Sequence, residues 1–375
     1  MPIADTETVA TPVRRMRRSV SDMPTVWSER YSATSMLPRA HAASEALPRV
    51  SVVIPTRGRP ELAERAVRSA LAQGFEEIEV VVVVDGPDRE TAETLRRFHD
   101  ERLHVVHLGE NVGGSEARNI GVRFARGEWI ALLDDDDQWY PDKLEKQWKT
   151  AISMKGKYAL VASQFIERGE DAERVLPRRM PERDEAFSEY LFARRGWQSG
   201  EGFLQTSTLF ASRDLMLKMP FTRGLKRCQD LDWLLHAASL PEVELRVLPE
   251  VLAVFHHDEN RSRVSRSADW RFLYSWVLAN KRYLTPRAFS FFVATFCVPS
   301  AAREREGGRT FLFLLRSCIM NGSASGKCLL LFLICWLLPE SRRRGIRAKH
   351  RGLRGGVAPR HSGFDHGPLP RKVSI

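Results

Sequence analysis

Trp129 to Leu133 form an uninterrupted apolar run that stops at four consecutive aspartates, Asp134, Asp135, Asp136 and Asp137. Apolar residues in such a row read as a strand covered on both faces, whereas carboxylates at that density need water or a compensating cation. The chain must therefore bury a strand and end it abruptly at an open edge. Beyond the acids, Pro141 suits the first turn of a helix with Asp142 near its positive end, and Leu144, Trp148 and Ala151 follow at helical spacing. A strand feeding acids into a crevice is a ligand-site geometry. A hard, oxygen-liking ion such as Mg2+ or Mn2+ would relieve the repulsion, and a solvated acidic loop is the plain alternative.

The same unit recurs upstream. "VSVVI" from Val50 is a strand, Pro55 to Arg59 a turn, and Pro60 opens a helix carrying Leu62, Ala66, Ser69, Ala70 and Gln73. "IEVVVVV" is a second strand ending at Asp85 and Gly86, and "RETAETLRRFHD" a second helix. Strand "LHVVHL", turn "GENVGG" and helix "SEARNIGVRFA" then lead into the strand before the aspartates. This alternation predicts an α/β fold with a mostly parallel sheet. Right-handed crossovers place the loops after Ile54, Val84, Leu108 and Leu133 along one edge. Those loops hold Thr56, Arg59, Asp85, Asp88, Asn111, Gly113, Arg118 and Asn119, a collection suited to a nucleoside diphosphate. Neither G-x-G-x-x-G nor G-x-x-x-x-G-K-[ST] occurs among them, so a dehydrogenase-type dinucleotide site and a P-loop are not supported.

Elsewhere the signal varies. Residues 1–48 lack periodicity and read as a flexible arm; over 155–202, where no strand is placed, the charged "ERGEDAERVLPRRMPERDE" reads as a surface loop or excursion. "FLQTSTLFAS" is taken as a strand returning to the sheet, with Gln205, Thr206 and Ser207 near the site. "CQDLDWLLHAASL" is a helix with Asp230 at its N-terminal end, where capping is the ordinary role for an aspartate. "VLPEVLAVFHH" is a strand running into His256 and His257, read as a pocket wall toward a diphosphate rather than as metal ligands. Residues 259–338 hold apolar helical segments, each shorter than the ~18 residues that span a bilayer. The last, ending at Leu338, precedes Arg342, Arg343, Arg344, Arg347, Lys349, Arg351 and Arg354. Either these helices lie at an anionic membrane surface, or they pack on the domain ahead of a disordered basic tail over 339–375.

The net charge of +11 suggests nucleic acid until it is located. Residues 339–375 hold ten basic and two acidic residues and residues 1–49 seven and five, so the body between is nearly neutral. The five cysteines show no C-x-x-C spacing, which argues against a zinc site or a disulfide framework and for a reducing compartment. No apolar segment follows Arg14, Arg15, Arg17 and Arg18, so a secretory signal is not indicated. A cytoplasmic location, at the membrane face if the tail meets lipid, is the expectation.

The segments "VSVVIPTRGRPELAERAVRSAL", "VVVVDGPD", "ENVGGSEARNIGVRFARGEWIALLDDDDQWYPDKLEKQ" and "CQDLDWLLHAA" together resemble the family 2 glycosyltransferases of the GT-A fold, over roughly residues 49–258. The resemblance implies a nucleotide-sugar donor, a divalent metal cofactor such as Mn2+ or Mg2+, and inverting displacement; a glycan or lipid-linked acceptor is the expectation if the tail meets a membrane. It implies Thr56, Arg59, Asp85, Arg118, Asn119, Asp134 and Asp135 around the donor, with Asp85 on the base. It further implies Asp134, Asp136 and Asp137 at the metal and Asp230 as catalytic base, while Gln205, His256 and His257 are candidates for the substrate pocket. Two positions depart from the family pattern: Val84 precedes Asp85 where Asp-Asp-Gly is usual, and Gln229 precedes Asp230 where Glu-Asp is usual. The rival readings are a metal-dependent nucleotidyltransferase and a non-enzymatic membrane or nucleic-acid binder acting through the tail.

Overall fold

The computed structural model describes residues 47–169, 173–256 and 269–338. Apart from Leu47 and Pro48, the expected N-terminal arm lies outside the described residues, as do His257 and the expected basic tail. The chain divides into two compact units, Met1–Ser267 and Ala268–Ile375.

In the first unit β1 (Val50–Thr56), α1 (Pro60–Leu71), β2 (Ile78–Val84), α2 (Arg89–Leu95), β3 (Leu103–His107), α3 (Gly114–Phe124) and β4 (Trp129–Leu132) follow the alternation expected from sequence. β1 pairs in parallel with β2 and β4, and β2 with β3, so the four carboxyl ends share one edge. Side chains alternate between two cores. Val52, Ile54, Val80, Val82 and Trp139 lie in one, and Val53, Ile130, Leu132 and Trp233 in another. α2 is shorter than expected because Phe98 turns back onto the first core instead of extending the helix.

The second half of this unit differs from the sequence reading. After β5 (Asp137–Trp139) and α4 (Lys143–Ile152) comes β6 (Tyr158–Arg168), an 11-residue, mostly buried strand in the stretch where the sequence reading placed none. β7 (Glu173–Leu176) and α5 (Phe187–Phe192) follow. Residues 203–212 are not one strand. A 3-10 turn at Thr206–Thr208 precedes the short β8 (Phe210–Ser212), because Gln205 accepts the Ser207 N–H at 3.0 Å and closes the chain on itself. α6 (Arg213–Lys218), α7 (Gln229–Ala238) and β9 (Val243–His256) complete the unit. Among the described residues the strand order is β3-β2-β1-β4-β8-β6-β9-β5, with β7 beside β6. β8 runs antiparallel to β4 and β6, and β5 antiparallel to β9.

The second unit is helical: α8 (Trp270–Ala279), α9 (Pro286–Phe292), a π-turn at Val293–Cys297, α10 (Val298–Arg303), α11 (Gly308–Met320) and α12 (Gly326–Leu337). Phe289, Phe291, Phe292 and Phe332 are fully buried in it. All five cysteines are buried and none is in a disulfide among the described residues.

α3 reaches the sheet closely because Gly121 lacks a side chain. A Cβ there would stand 2.4 Å from Val53 Cγ1 and 3.2 Å from Val83 Cγ2, and both valines are fully buried. Gly121→Ala should therefore cost about 2 kcal/mol through overpacking, offset only in part by better helix propensity. Urea denaturation measures this, and an unchanged midpoint would show that α3 rides away from the sheet freely.

Candidate active site

The edge formed by β1 and β4 carries most of the expected residues, and each acid of the run meets a different partner. Thr56 Oγ1 donates to Asp135 at 2.8 Å, and Arg59 Nη1 donates to Asp135 at 3.0 Å and to Asp136 at 3.5 Å. Arg65, which the sequence reading did not single out, donates to the Asp136 carbonyl at 2.6 Å. Arg118, on the buried face of α3, donates to Asp134 at 2.5 Å and to Gln229 Oε1 at 2.8 Å, and it lies over the Phe221 ring. That guanidinium joins the end of β4 to the first turn of α7. Its pKa is raised: burial opposes the charge most strongly, but the carboxylates of Asp134, Asp230 and Asp135 together outweigh it.

Asp137 points the other way and is fully buried. One of its oxygens accepts from Ser207 Oγ at 2.5 Å and from Gln205 Nε2, while the other is buried without a hydrogen-bond partner among the described residues. Burial, reinforced by Asp136 and Asp134, holds this carboxyl well above the usual carboxylate range. Ser207 Oγ also accepts the Asp134 N–H at 2.9 Å. The turn carrying Ser207 is held from below by Trp139 Nε1, 2.7 Å from the Ser207 carbonyl, and by Gln147 Nε2, 2.8 Å from the Thr208 carbonyl. Lys143, buried and pushed well below the usual lysine range by that burial, donates to Gln147 and lies 4.0 Å from the Trp139 ring centroid. Asp137 and Gln205, expected at the metal and in the pocket, are thus a buttress beneath the site.

Other expected residues are engaged structurally as well. Asp85 accepts the N–H groups of Val112 at 2.7 Å and Gly113 at 3.0 Å, so its carboxylate shapes the glycine-rich turn. Asn119, expected around the donor, exchanges both bonds with the Phe221 backbone, at 2.9 and 2.8 Å, which ties α3 to the segment before α7. His256 Nε2 is 2.8 Å from Gln138 Oε1 at the β5–β9 pair. Asp230 sits in the first turn of α7 but is not its cap, a position held by Cys228 with φ 62°. Desolvation foremost, with Asp134 adding, raises the Asp230 carboxyl above its usual value against the Leu231 N–H and Arg118.

The repulsion expected of four adjacent carboxylates is largely relieved by these contacts, without recourse to a metal. Only Asp134 and Asp136 keep substantially open side chains, 24 % and 28 % exposed, against 7 % for Asp135. Among the described residues no three His, Cys, Asp or Glu side chains converge as a cage. A Mg2+-type ion needs only one or two carboxylates when substrate phosphates and water complete its shell. Asp134 and Asp136 fit that requirement, and Asp137 does not.

A mostly parallel sheet with acids and guanidiniums at its carboxyl edge, extended by antiparallel strands, defines a GT-A core. Residues 51–216 match glycosyl transferase family 2. A putative teichuronic acid biosynthesis glycosyltransferase of Bacillus subtilis is 41% identical over 102 residues, 27% of this chain and 40% of that protein. The amylovoran biosynthesis glycosyltransferase AmsB of Erwinia amylovora is 25% identical over 245 residues, 63% of this chain and 79% of that protein. The succinoglycan biosynthesis protein ExoO of Rhizobium meliloti is 36% identical over 118 residues, 32% of this chain and 34% of that protein. The chain thus spans well under half the length of two of these three relatives. The crystal structure of S. aureus TarS 1-349 superposes with a TM-score of 0.54 at 15% identity, over 79% of this chain and 92% of that chain, a likeness of fold.

Asp135 should leave a pH signature. Its carboxyl is raised from 3.8 to about 6, first by burial, against the attraction of Arg59. The folded value lies above the unfolded one, so folding takes up a proton between them. The cost is absent below about pH 4, grows as the pH rises, and levels off above about pH 6 at roughly 3 kcal/mol. Asp135→Asn, which retains an acceptor for Thr56, should raise stability by about 2 kcal/mol at neutral pH and by little at about pH 4. Urea midpoints across this range, in metal-free buffer, check it; parallel curves for the two proteins would refute the assignment.

Proposed function

We propose that the chain moves a sugar from a nucleoside-diphosphate donor to a hydroxyl acceptor, with inversion, in the synthesis of a cell-surface polysaccharide or glycolipid. The observation that carries this reading is the Arg118 bridge between Asp134 at the end of β4 and Gln229, the neighbour of Asp230. It draws the acid edge and the candidate base to one cationic centre. A displacement with inversion needs a proton acceptor on the attacking side and charge compensation at the departing diphosphate. Asp230, whose raised pKa makes it more basic than an ordinary carboxylate, is the acceptor for the hydroxyl proton. Arg59 and Arg118 supply guanidiniums to phosphate oxygens once the donor competes for them. Mn2+ or Mg2+ held by Asp134 and Asp136 would add charge neutralisation at the leaving diphosphate.

Gln229 in place of the more usual glutamate leaves Arg118 with one carboxylate partner in direct contact, so more of its charge is available to the donor. The relatives named for teichuronic acid, amylovoran and succinoglycan synthesis support the product class. Free, buried thiols at all five cysteines suit a reducing compartment, the cytoplasm.

Incubation with a panel of nucleotide sugars and Mn2+ or Mg2+ should release a nucleoside diphosphate from one donor. Asp230→Asn should lower that turnover by about 10²- to 10⁴-fold with donor binding retained. Asp136→Ala should abolish the metal-dependent part of donor binding. Pyrophosphate released from a nucleoside triphosphate would instead identify a nucleotidyltransferase, and full turnover in Asp230→Asn would remove the base.

A further inference from the structure

β9 is paired along its whole length on one side and only near its end on the other. β6 runs parallel to it from Tyr158 beside Val243 to Arg168 beside His256, whereas β5 covers only residues 253–255. Among the described residues no strand lies against the other side of 243–251. The ladder to β6 fixes which backbone groups remain there. Tyr158 N–H donates to the Glu242 carbonyl at 3.1 Å. In a parallel ladder alternate residues turn both backbone groups to the same neighbour, so Glu244 and Arg246 follow Glu242 toward β6. Leu245 and Val247 therefore direct N–H and C=O to the open side. The Val243 carbonyl does the same, its N–H being taken by the Leu240 carbonyl at 3.0 Å.

Side chains alternate as well. Val243, Leu245 and Val247 pack toward the core that holds Trp233 and Leu234. Glu244 and Arg246 lie on the opposite face, toward α4, and meet each other at 2.7 Å. Arg246 Nη1 is 3.3 Å from Ser153 Oγ, and Glu244 accepts the N–H groups of Lys155 and Gly156 at 2.7 and 2.9 Å. A groove of about 550 Å³ follows the edge from Leu245 to Leu248, walled by Lys149, Thr150 and Ser153 and by Met180 and Pro181.

We infer that the open edge of β9 over residues 243–248 is a self-association surface, on which a second copy of this chain lays its own β9 antiparallel about a twofold axis at Leu245. At that register each Leu245 exchanges N–H and C=O with its counterpart, and each Val247 N–H reaches the Val243 carbonyl of the other copy. Glu244 of one copy stands opposite Arg246 of the other, twice, and with the pair inside each strand this makes a square of alternating charge. Other registers fail. An axis at Glu244 or at Arg246 sets like charges directly opposite, and an axis at Val247 draws Pro249, which has no N–H, against Leu245. β9 itself carries the charge pattern that the edge calls for, which singles out a second copy over an unrelated strand. Isologous pairing also satisfies donors and acceptors that an open edge leaves to water. Ile152, 53% exposed and one turn beyond Lys149 on α4, adds apolar area beside the strand. So short a ladder buries less than a standard interface, and the dimer dissociates with a Kd on the order of micromolar. It does not depend on the transfer chemistry proposed above.

Sedimentation velocity of the full chain over about 1–100 µM should show a monomer–dimer equilibrium. Arg246→Glu, at an exposed position, makes both symmetry-related pairs repulsive and should weaken dimerisation by about tenfold. Val247→Pro removes an outward N–H, leaves the β6 ladder intact and should abolish the dimer, with thermal unfolding confirming that each variant folds. Under mild oxidation Leu245→Cys should cross-link two copies, since the axis places these positions face to face. Arg246→Cys, whose counterpart is a diagonal neighbour more than about 7 Å away, should not. A monomer across the whole range overturns the inference, including the case in which a strand from another protein fills the groove. So does a dimer that neither Arg246→Glu nor Val247→Pro weakens, or one that Arg246→Cys cross-links and Leu245→Cys does not.

Discussion

A buried strand that ends in four adjacent carboxyl groups folds only if each of them finds a different environment. Here the separation follows the direction of the side chains. Asp134 turns to Arg118, Asp135 to Thr56 and Arg59, Asp136 to solvent beside Arg59, and Asp137 into the protein beneath Ser207 and Gln205. Two of the acids are withdrawn from water and pay for it in acidity, with the Asp135 carboxyl raised to about 6 and Asp137 driven further. The two left partly open are Asp134 and Asp136.

Everything around the acids serves that division. β1 and β4 pair in parallel register, which brings the end of β1, with Thr56 and the turn to Arg59, beside the end of β4. α3 lies close enough to the sheet for Arg118 to reach Asp134 because Gly121 presents no side chain to Val53. Behind the edge, Trp139, Lys143 and Gln147 hold the 206–208 turn, and through Ser207 that turn fixes both Asp137 and the Asp134 backbone. Buried polar groups are costly unless bonded, so this network is a strong positional constraint on the acid edge.

The helical unit is organised by a different balance. Its interior is aromatic, with Phe289, Phe291, Phe292 and Phe332 fully enclosed, yet α11 and α12 still present large apolar side chains outward. Exposed leucines of this kind are ordinary where they stand singly.

The first half of the domain was legible from sequence because its strands are short, uniformly apolar and punctuated by Gly, Pro and Asp, so local pattern and final environment agree. The same pattern located Thr56, Arg59, Arg118 and the aspartate run on one edge. β6 was not legible, since "YALVASQFIER" sits among charged segments and becomes a sheet interior only when β8 and β9 arrive on either side. Nor did the sequence tell the working acids from the supporting ones. Asn119 meets Phe221, a partner 102 positions away, and Asp137 meets Ser207, 70 positions away. Composition and spacing determined that acids and guanidiniums would gather at the end of a parallel sheet. Only the tertiary structure decided which of them face the crevice, because an aspartate's role depends on the donors and the dielectric that distant segments bring to it.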